Sequence, residues 1–232
     1  MEELPKRWNC MVRLFTLDGK GLLLAIAMGI LIYFLGSGEG AAFLLVLILF
    51  LVLSAVVTRV GKASKQGIGV YEAGRGWKNV LANGAMPLIA AFLYWLSLRY
   101  AFMPSSYLMF AYIASVCAIT ADKFASELGV LDGEPTMLLT LKKTKKGVSG
   151  GVTALGLGAS LVGSAIIGLG IFLIGGGVAV VSIVTLAGFL GNLVDSVLGY
   201  FEERGIGNKY TSNFFCSVAG FLLCLLMLVV IA

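Results

Sequence analysis

Seven continuous apolar stretches run along the chain at about 21–36, 41–58, 83–98, 104–121, 152–174, 178–200 and 214–232, and most polar and basic residues collect in the connections between them. A bilayer core about 30 Å thick takes about 20 residues of helix to cross. The stretches are apolar throughout, without the two-residue alternation of a barrel strand, so helices are the expected way to satisfy the backbone in lipid. The pattern predicts an all-α polytopic membrane protein of about seven transmembrane helices, forming a single integral membrane domain over 1–232. Two stretches, 21–36 and 83–98, are short for a span, and a tilted or partly re-entrant path is expected there.

Composition sharpens this picture. Apolar residues make up 59% of the 232 positions and charged residues 12%, against about 45–50% and about 25% in soluble domains. A water-soluble core does not account for that excess. The polar start, MEELPKRWNC, has no small-residue cleavage site, so the first apolar stretch is expected to be retained.

Orientation follows from the basic residues. Lys6, Arg7, Arg13 and Lys20 precede the first stretch; Arg59, Lys62, Lys65, Arg75 and Lys78 follow the second; Lys123, Lys142, Lys143, Lys145 and Lys146 follow the fourth; Arg204 and Lys209 follow the sixth. All but Arg99 of the 17 basic residues fall on one side. The N-terminus is therefore expected in the cytoplasm and the C-terminus outside, with 1–20, 59–82, 122–151 and 200–213 cytoplasmic. This sidedness also generates the net charge of +5, which consequently gives no reason to expect nucleic acid.

The chain has no histidine. Ser-His-Asp and Cys-His nucleophiles, His-based zinc sites and histidine relays are thereby excluded. Cys10, Cys117, Cys216 and Cys224 form no C-x-x-C pair, and three of them lie in apolar stretches, where they read as small core residues.

Small residues at spacing four mark faces along which membrane helices approach closely. The fourth stretch carries Ala114, Ala118, Asp122 and Ser126; the fifth Gly156, Ser160, Ser164 and Gly168; the sixth Ala187, Gly191, Asp195 and Gly199. Asp122 and Asp195 are thus expected in the protein seam at the cytoplasmic end, where intramembrane acids usually serve function; a salt bridge to Lys123 is the plain alternative for Asp122. Glu127 lies about 140° around a helix from Asp122, so the two share a face only if the helix ends between them. The dense run 142–146, KKTKK, fits a phosphate-bearing ligand as well as anionic headgroups. The glycine-rich segment 147–151 after it offers a backbone cradle for an anion or simply a flexible turn, and no Walker-type motif occurs. Arg75, Asn79 and Asn83 recur at spacing four beside Lys78, so one helical face would present a guanidinium and two amides.

The segments GRGWKNVLANG (74–84), ITADKFASELG (119–129), KKGVSGGVTALG (145–156) and GFLGNLVDSVLG (188–199) together resemble the successive signatures of the DUF92, or transmembrane protein 19, family. That family includes a plant phytyl-phosphate kinase. The resemblance implies phosphoryl transfer to an isoprenoid lipid, with roles carried by position: Asp122, Glu127 and Asp195 as catalytic and Mg²⁺-holding acids, and Arg75, Lys78, Asn79, Asn83, Lys145, Lys146, Gly147, Ser149, Gly150, Gly151 and Asn192 around the phosphates. The sequence departs from the family pattern at Asn79, at Lys123-Phe124 and at Ser149, positions that bear on the nucleotide donor. The expected reaction moves the γ-phosphate of a nucleoside triphosphate, CTP above others, to an isoprenoid monophosphate in the cell or inner membrane, at a site facing the cytoplasm. Membrane lipids, nucleotide and isoprenoid phosphate are the expected partners, with self-association left open. A polyprenol kinase and cytidylyl transfer to a lipid phosphate use the same groups. A transporter or flippase is the rival of another class, although the middles of the spans are apolar and no internal repeat stands out.

Overall fold

The computed structural model describes residues 17–71 and 74–231; Lys6, Arg7, Arg13 and Cys10, which entered the sequence reading, lie outside the described residues. The chain forms α1 (Gly19–Leu35), a 3₁₀ turn (Ser37–Glu39), α2 (Gly40–Arg59), the short α3 (Lys62–Gly67), α4 (Trp77–Tyr100) and α5 (Ser105–Gly129). It continues through β1 (Thr136–Met137), β2 (Gly151–Val152), α6 (Ala154–Gly168) with a 3₁₀ extension (Leu169–Ile174), α7 (Val178–Glu202) and α8 (Lys209–Ile231). Six helices, α2 and α4 to α8, are long and apolar enough to cross a membrane, whereas α1 is a shorter apolar helix of 17 residues. The all-α polytopic architecture expected from the apolar pattern is what the chain adopts.

Helix bounds depart from the apolar windows in an informative way. The stretch expected at 83–98 is a full 24-residue helix that starts at Trp77, about 36 Å long at 1.5 Å per residue, so it is not short. The stretch expected to end at 121 continues to Gly129 and takes Asp122, Lys123 and Glu127 into the helix. Hydropathy falls where the first ions occur, but no breaker intervenes before Gly129, and Lys123 and Glu127 pair with each other across one turn. Caps fix other ends. Asp18 Oδ1 accepts from the Gly21 N–H at 2.6 Å, and Thr153 Oγ1 accepts from the Gly156 N–H at 3.1 Å.

Helix α5 is the axis of the bundle, packed by α2, α4, α6, α7 and α8. Ala111, Tyr112, Ala114, Ser115, Val116, Cys117 and Ala118 on it are completely buried. Tyr112 stacks on Phe43 of α2 and donates its hydroxyl to the Phe43 carbonyl at 2.8 Å. The small-residue stripes do form the seams. A Cβ at Gly191 would sit 2.9 Å from Ala118 Cβ, one at Gly220 would sit 2.8 Å from the Ala114 carbonyl, and one at Gly156 would sit 3.2 Å from the Ala125 carbonyl. In contrast, α1 packs chiefly on α4 and α2, outside the α5–α8 body.

Because the long helices alternate in direction, the ends of α2, α5 and α7 and the starts of α1, α4, α6 and α8 share one side of the bundle. Every described basic residue except Arg99 is at that side.

Candidate functional site

Three cations converge on Glu127. Lys65, on α3, is 1% exposed; its Nζ donates to Glu127 Oε2 at 2.6 Å and to the Val57 and Thr58 carbonyls, each at 3.2 Å. Arg75 donates to Glu127 Oε1 at 3.2 Å and to the Ser54 and Thr58 hydroxyls, each at 2.5 Å. Lys123, one turn before Glu127 on α5, pairs with the same Oε1. A buried charge is costly unless paired and hydrogen-bonded, and here one carboxylate serves three cations. The cluster keeps a positive excess toward the space beside it.

The opposite wall is acidic. Helices α5 and α7 meet along Ala118 and Gly191, and this close approach brings the Asp122 and Asp195 carboxyls together. Two carboxylates at that range need a cation or a shared proton between them. Asp195 Oδ1 and Asn192 Nδ2 are both buried without a hydrogen-bond partner among the described residues, and Asn192 as a whole is 1% exposed. Buried orphan groups are rare and call for a ligand or a solvent molecule. Glu202, two turns along the same face of α7, adds a third carboxylate field to the pair and accepts from the Ser212 hydroxyl of α8.

The segment 147–151 closes the site from the aqueous side, though not as an open cradle. Val148 N–H donates to the Lys145 carbonyl and Gly151 N–H to the Val148 carbonyl, both at 3.3 Å, and Ser149 N–H donates to Glu203 Oε1 at 2.9 Å. Of the two readings of this segment, an anion cradle or a turn, the turn accounts for part of it: local turn formation and Glu203 have taken three of the five N–H groups. The glycines have another cause. Gly150 has φ +79°, and a Cβ there would lie 2.6 Å from the Ser196 carbonyl of α7, so the loop lies directly on the helix that carries Asp195. The β1–β2 ladder pins this loop at its other end. Just before it, the Gly133 and Leu155 N–H groups hold the Asp132 carboxyl below the usual carboxylate range while Asp132 tethers the start of α6.

These walls enclose a cavity of about 320 Å³ lined by Lys65, Arg75, Asn79, Asn83, Asp122, Lys123, Glu127, Lys146, Asn192, Asp195, Glu202 and Lys209, with Gly147, Ser149, Gly150 and Gly151 at its mouth. Phe50, Arg75, Asn79, Asn83 and Ile119 are shared with a second, apolar cavity of about 680 Å³ between α1, α2 and α4. The polar chamber and this hydrocarbon-lined groove therefore adjoin along these five residues.

Most residues singled out from the sequence come together here, with three departures. Arg75 is not on the helical face of Asn79 and Asn83, since α4 begins at Trp77; it is bridged to Leu17, and its guanidinium turns toward Ser54, Thr58 and Glu127. Lys78, exposed beside Trp77, and Lys145, exposed on the loop, do not line the cavity. Glu127 joins the cations rather than the two aspartates, and among the described residues no three acids are grouped as a metal cluster. The sequence reading missed Lys65, Lys123, Glu202 and Lys209 as site residues, and the salt bridge weighed for Lys123 with Asp122 is instead made to Glu127. For Lys65 the available signal is the pair Ser54 and Thr58, hydroxyls at spacing four in an otherwise aliphatic stretch.

Comparison with known proteins accords with the segments noted in the sequence. The chain matches the family described as integral membrane protein DUF92 over residues 9–222. It is 36% identical to an uncharacterized membrane protein of Methanocaldococcus jannaschii, over 88% of this chain and 82% of that one. It is 31% identical to Protein PGR of Arabidopsis thaliana over 66% of this chain and 62% of the plant protein, and 32% identical to an uncharacterized membrane protein of a Synechocystis species over 75% and 67%. No solved structure matches. With its match spanning nearly the whole length and its helices those of a polytopic membrane protein, the chain belongs to the DUF92 family of integral membrane proteins.

Proposed function

We propose that this protein is a membrane-embedded kinase that transfers the γ-phosphate of a nucleoside triphosphate to an isoprenoid monophosphate, giving the diphosphate, with CTP the first donor to test. The observation that carries the reading is the two-walled cavity, cations around Glu127 facing the Asp122–Asp195 pair. Phosphoryl transfer rests on positioning and charge neutralisation more than on covalent chemistry, and both are what such walls supply. An acceptor phosphate is itself an anionic nucleophile near neutral pH, its second pKa being about 6, so the absence of histidine is no obstacle.

The residues present fit Mg²⁺. Asp195 Oδ1 is a buried acceptor without a partner beside a second carboxylate, and Mg²⁺ commonly takes one or two protein carboxylates plus phosphate oxygens. Asp122 and Asp195 would hold the ion, which would supply neutralisation of phosphate charge. Arg75 and Lys123 orient the acceptor phosphate at the basic wall, while Lys146 and Lys209 draw the nucleotide in at the mouth. By the excess of positive charge, the site's end of the bundle is assigned to the cytoplasm, where nucleotide is found.

Detergent-purified protein incubated with Mg²⁺, labelled nucleoside triphosphates and a series of prenols and prenyl monophosphates tests the reading. Prenyl diphosphate plus nucleoside diphosphate is the expected outcome. Pyrophosphate release would reassign the site to nucleotidyl transfer, and no turnover with any pair would overturn the enzyme reading. Asp195→Asn is expected to lower turnover by about 10²–10³-fold while the thermal unfolding midpoint is retained.

A further inference from the structure

The apolar cavity has a definite relation to the polar one. Helix α1 is held to the rest of the protein at its start, where a Cβ on Gly21 would lie 3.1 Å from the Arg75 carbonyl and Asp18 N–H donates to that carbonyl at 3.0 Å. At its other end the Ser37–Glu39 turn ties it to α2. Between these points α1 meets α2 at Gly29 and Leu44 and α4 at Met28 and Gly84, and the groove of about 680 Å³ lies among the three helices. Among the described residues lining it, Arg75 is the single charged one, and it stands at the junction with the polar chamber together with Asn79 and Asn83. Pro87 sharpens the polarity of that junction, because it cannot supply the N–H that would bond the Asn83 carbonyl four residues earlier.

From this shared wall we infer that the groove between α1, α2 and α4 is the seat of the isoprenoid chain of a prenyl monophosphate whose headgroup lies at Arg75, and that the Gly84–Met28 contact sets how much chain it accepts. This rests on the kinase reading for the isoprenoid identity of the chain. Charge complementarity argues for such an occupant: an anionic head meets a guanidinium and two amides, and apart from Ser54 and Tyr33 the rest of the lining is apolar. A pocket of several hundred Å³, mostly apolar with a few convergent polar groups, is the ordinary form of a site for one such ligand. Gly84 matters because it lines the groove at a close contact of α4 with α1. A Cβ there would sit 2.8 Å from Met28 Cε and 3.1 Å from Met28 Sδ. The obstructed atoms are the flexible end of a methionine, so a larger residue can be accommodated by driving that side chain along the groove, which narrows it without parting the helices.

The test has two arms. In phosphatidylcholine nanodiscs, a farnesyl phosphate analogue with a diazirine on its chain is expected to label α1, α2 and α4 peptides, with competition by unlabelled farnesyl phosphate. Labelling spread over the outer faces of α6 and α8, or competed equally by phosphatidic acid, would overturn the assignment in favour of an ordinary bilayer lipid. In the second arm, Gly84→Leu is expected to lower the apparent affinity for farnesyl phosphate relative to dimethylallyl phosphate by about tenfold or more, and Met28→Ala to shift the same ratio the other way. An unchanged ratio in both variants would remove the Gly84–Met28 contact from chain selection. Because labelling needs no turnover, wild-type protein that labels in the groove but transfers no phosphate would sink the kinase reading and leave the lipid seat standing.

Discussion

Glu127 has a different occupation from the one its residue type suggested. The resemblance cast it as a metal-holding acid with the two aspartates, yet Lys65, Arg75 and Lys123 all reach it, and two of those partners come from 62 and 52 residues away in the chain. Apart from the Ser54 and Thr58 hydroxyls, nothing nearby in the sequence marks Lys65 as buried, because burial of a lysine becomes tolerable only once a distant acid has been delivered to it. The arrangement makes the acid and its cations unequal. Glu127→Gln strips three buried cations of their countercharge at once, and a loss of about 3–5 kcal/mol is expected. Lys65→Met removes one cation and leaves Arg75 and Lys123 on the carboxylate, so its cost is expected to be smaller. Chemical denaturation of the two variants in detergent checks the order, and equal losses would contradict it.

At the scale of elements, the loop between α5 and α6 is positioned by small contacts rather than by a core. Gly150 lies on α7, the β1–β2 ladder holds the loop's other side, and Asp132 reaches across to the Leu155 N–H at the start of α6. The folded Asp132 carboxyl titrates below its usual range because the Gly133 and Leu155 N–H groups favour its charged form. A depressed folded pKa contributes stability above the unfolded value of about 3.9, and that contribution is lost as pH falls through the folded value. Asp132→Asn is therefore expected to lower the thermal midpoint at neutral pH, with the gap to wild type closing as the pH is taken below about 4. The motif 145–156 was legible as a phosphate-binding candidate, but its glycines turn out to serve close approach to a helix, something that spacing along the chain does not encode.

For the molecule as a whole, the charge asymmetry is the property that reaches furthest. The described basic residues apart from Arg99 share one side of the bundle with both carboxylate clusters and the cavity mouth. If that side is cytoplasmic, single cysteines placed at Lys143 and at Phe102, in a background where the native cysteines are replaced, should differ in labelling by a membrane-impermeant maleimide. Position 102 is expected to react in intact cells and position 143 only after the membrane is opened; the reverse pattern would place the site outside.

Helicity, the number of apolar elements, the small-residue seams and the sidedness of charge were determined by the sequence, because each depends on composition and period along a single element. The tertiary structure alone decided which charges meet. It set Glu127 among cations and Asp122 against Asp195, turned Arg75 away from the α4 face, and left a groove beside α1 that adjoins the polar chamber. Those outcomes depend on how closely helices far apart in sequence can approach, and glycine positions such as Gly191 and Gly150 fix that distance only when the opposing surface is known.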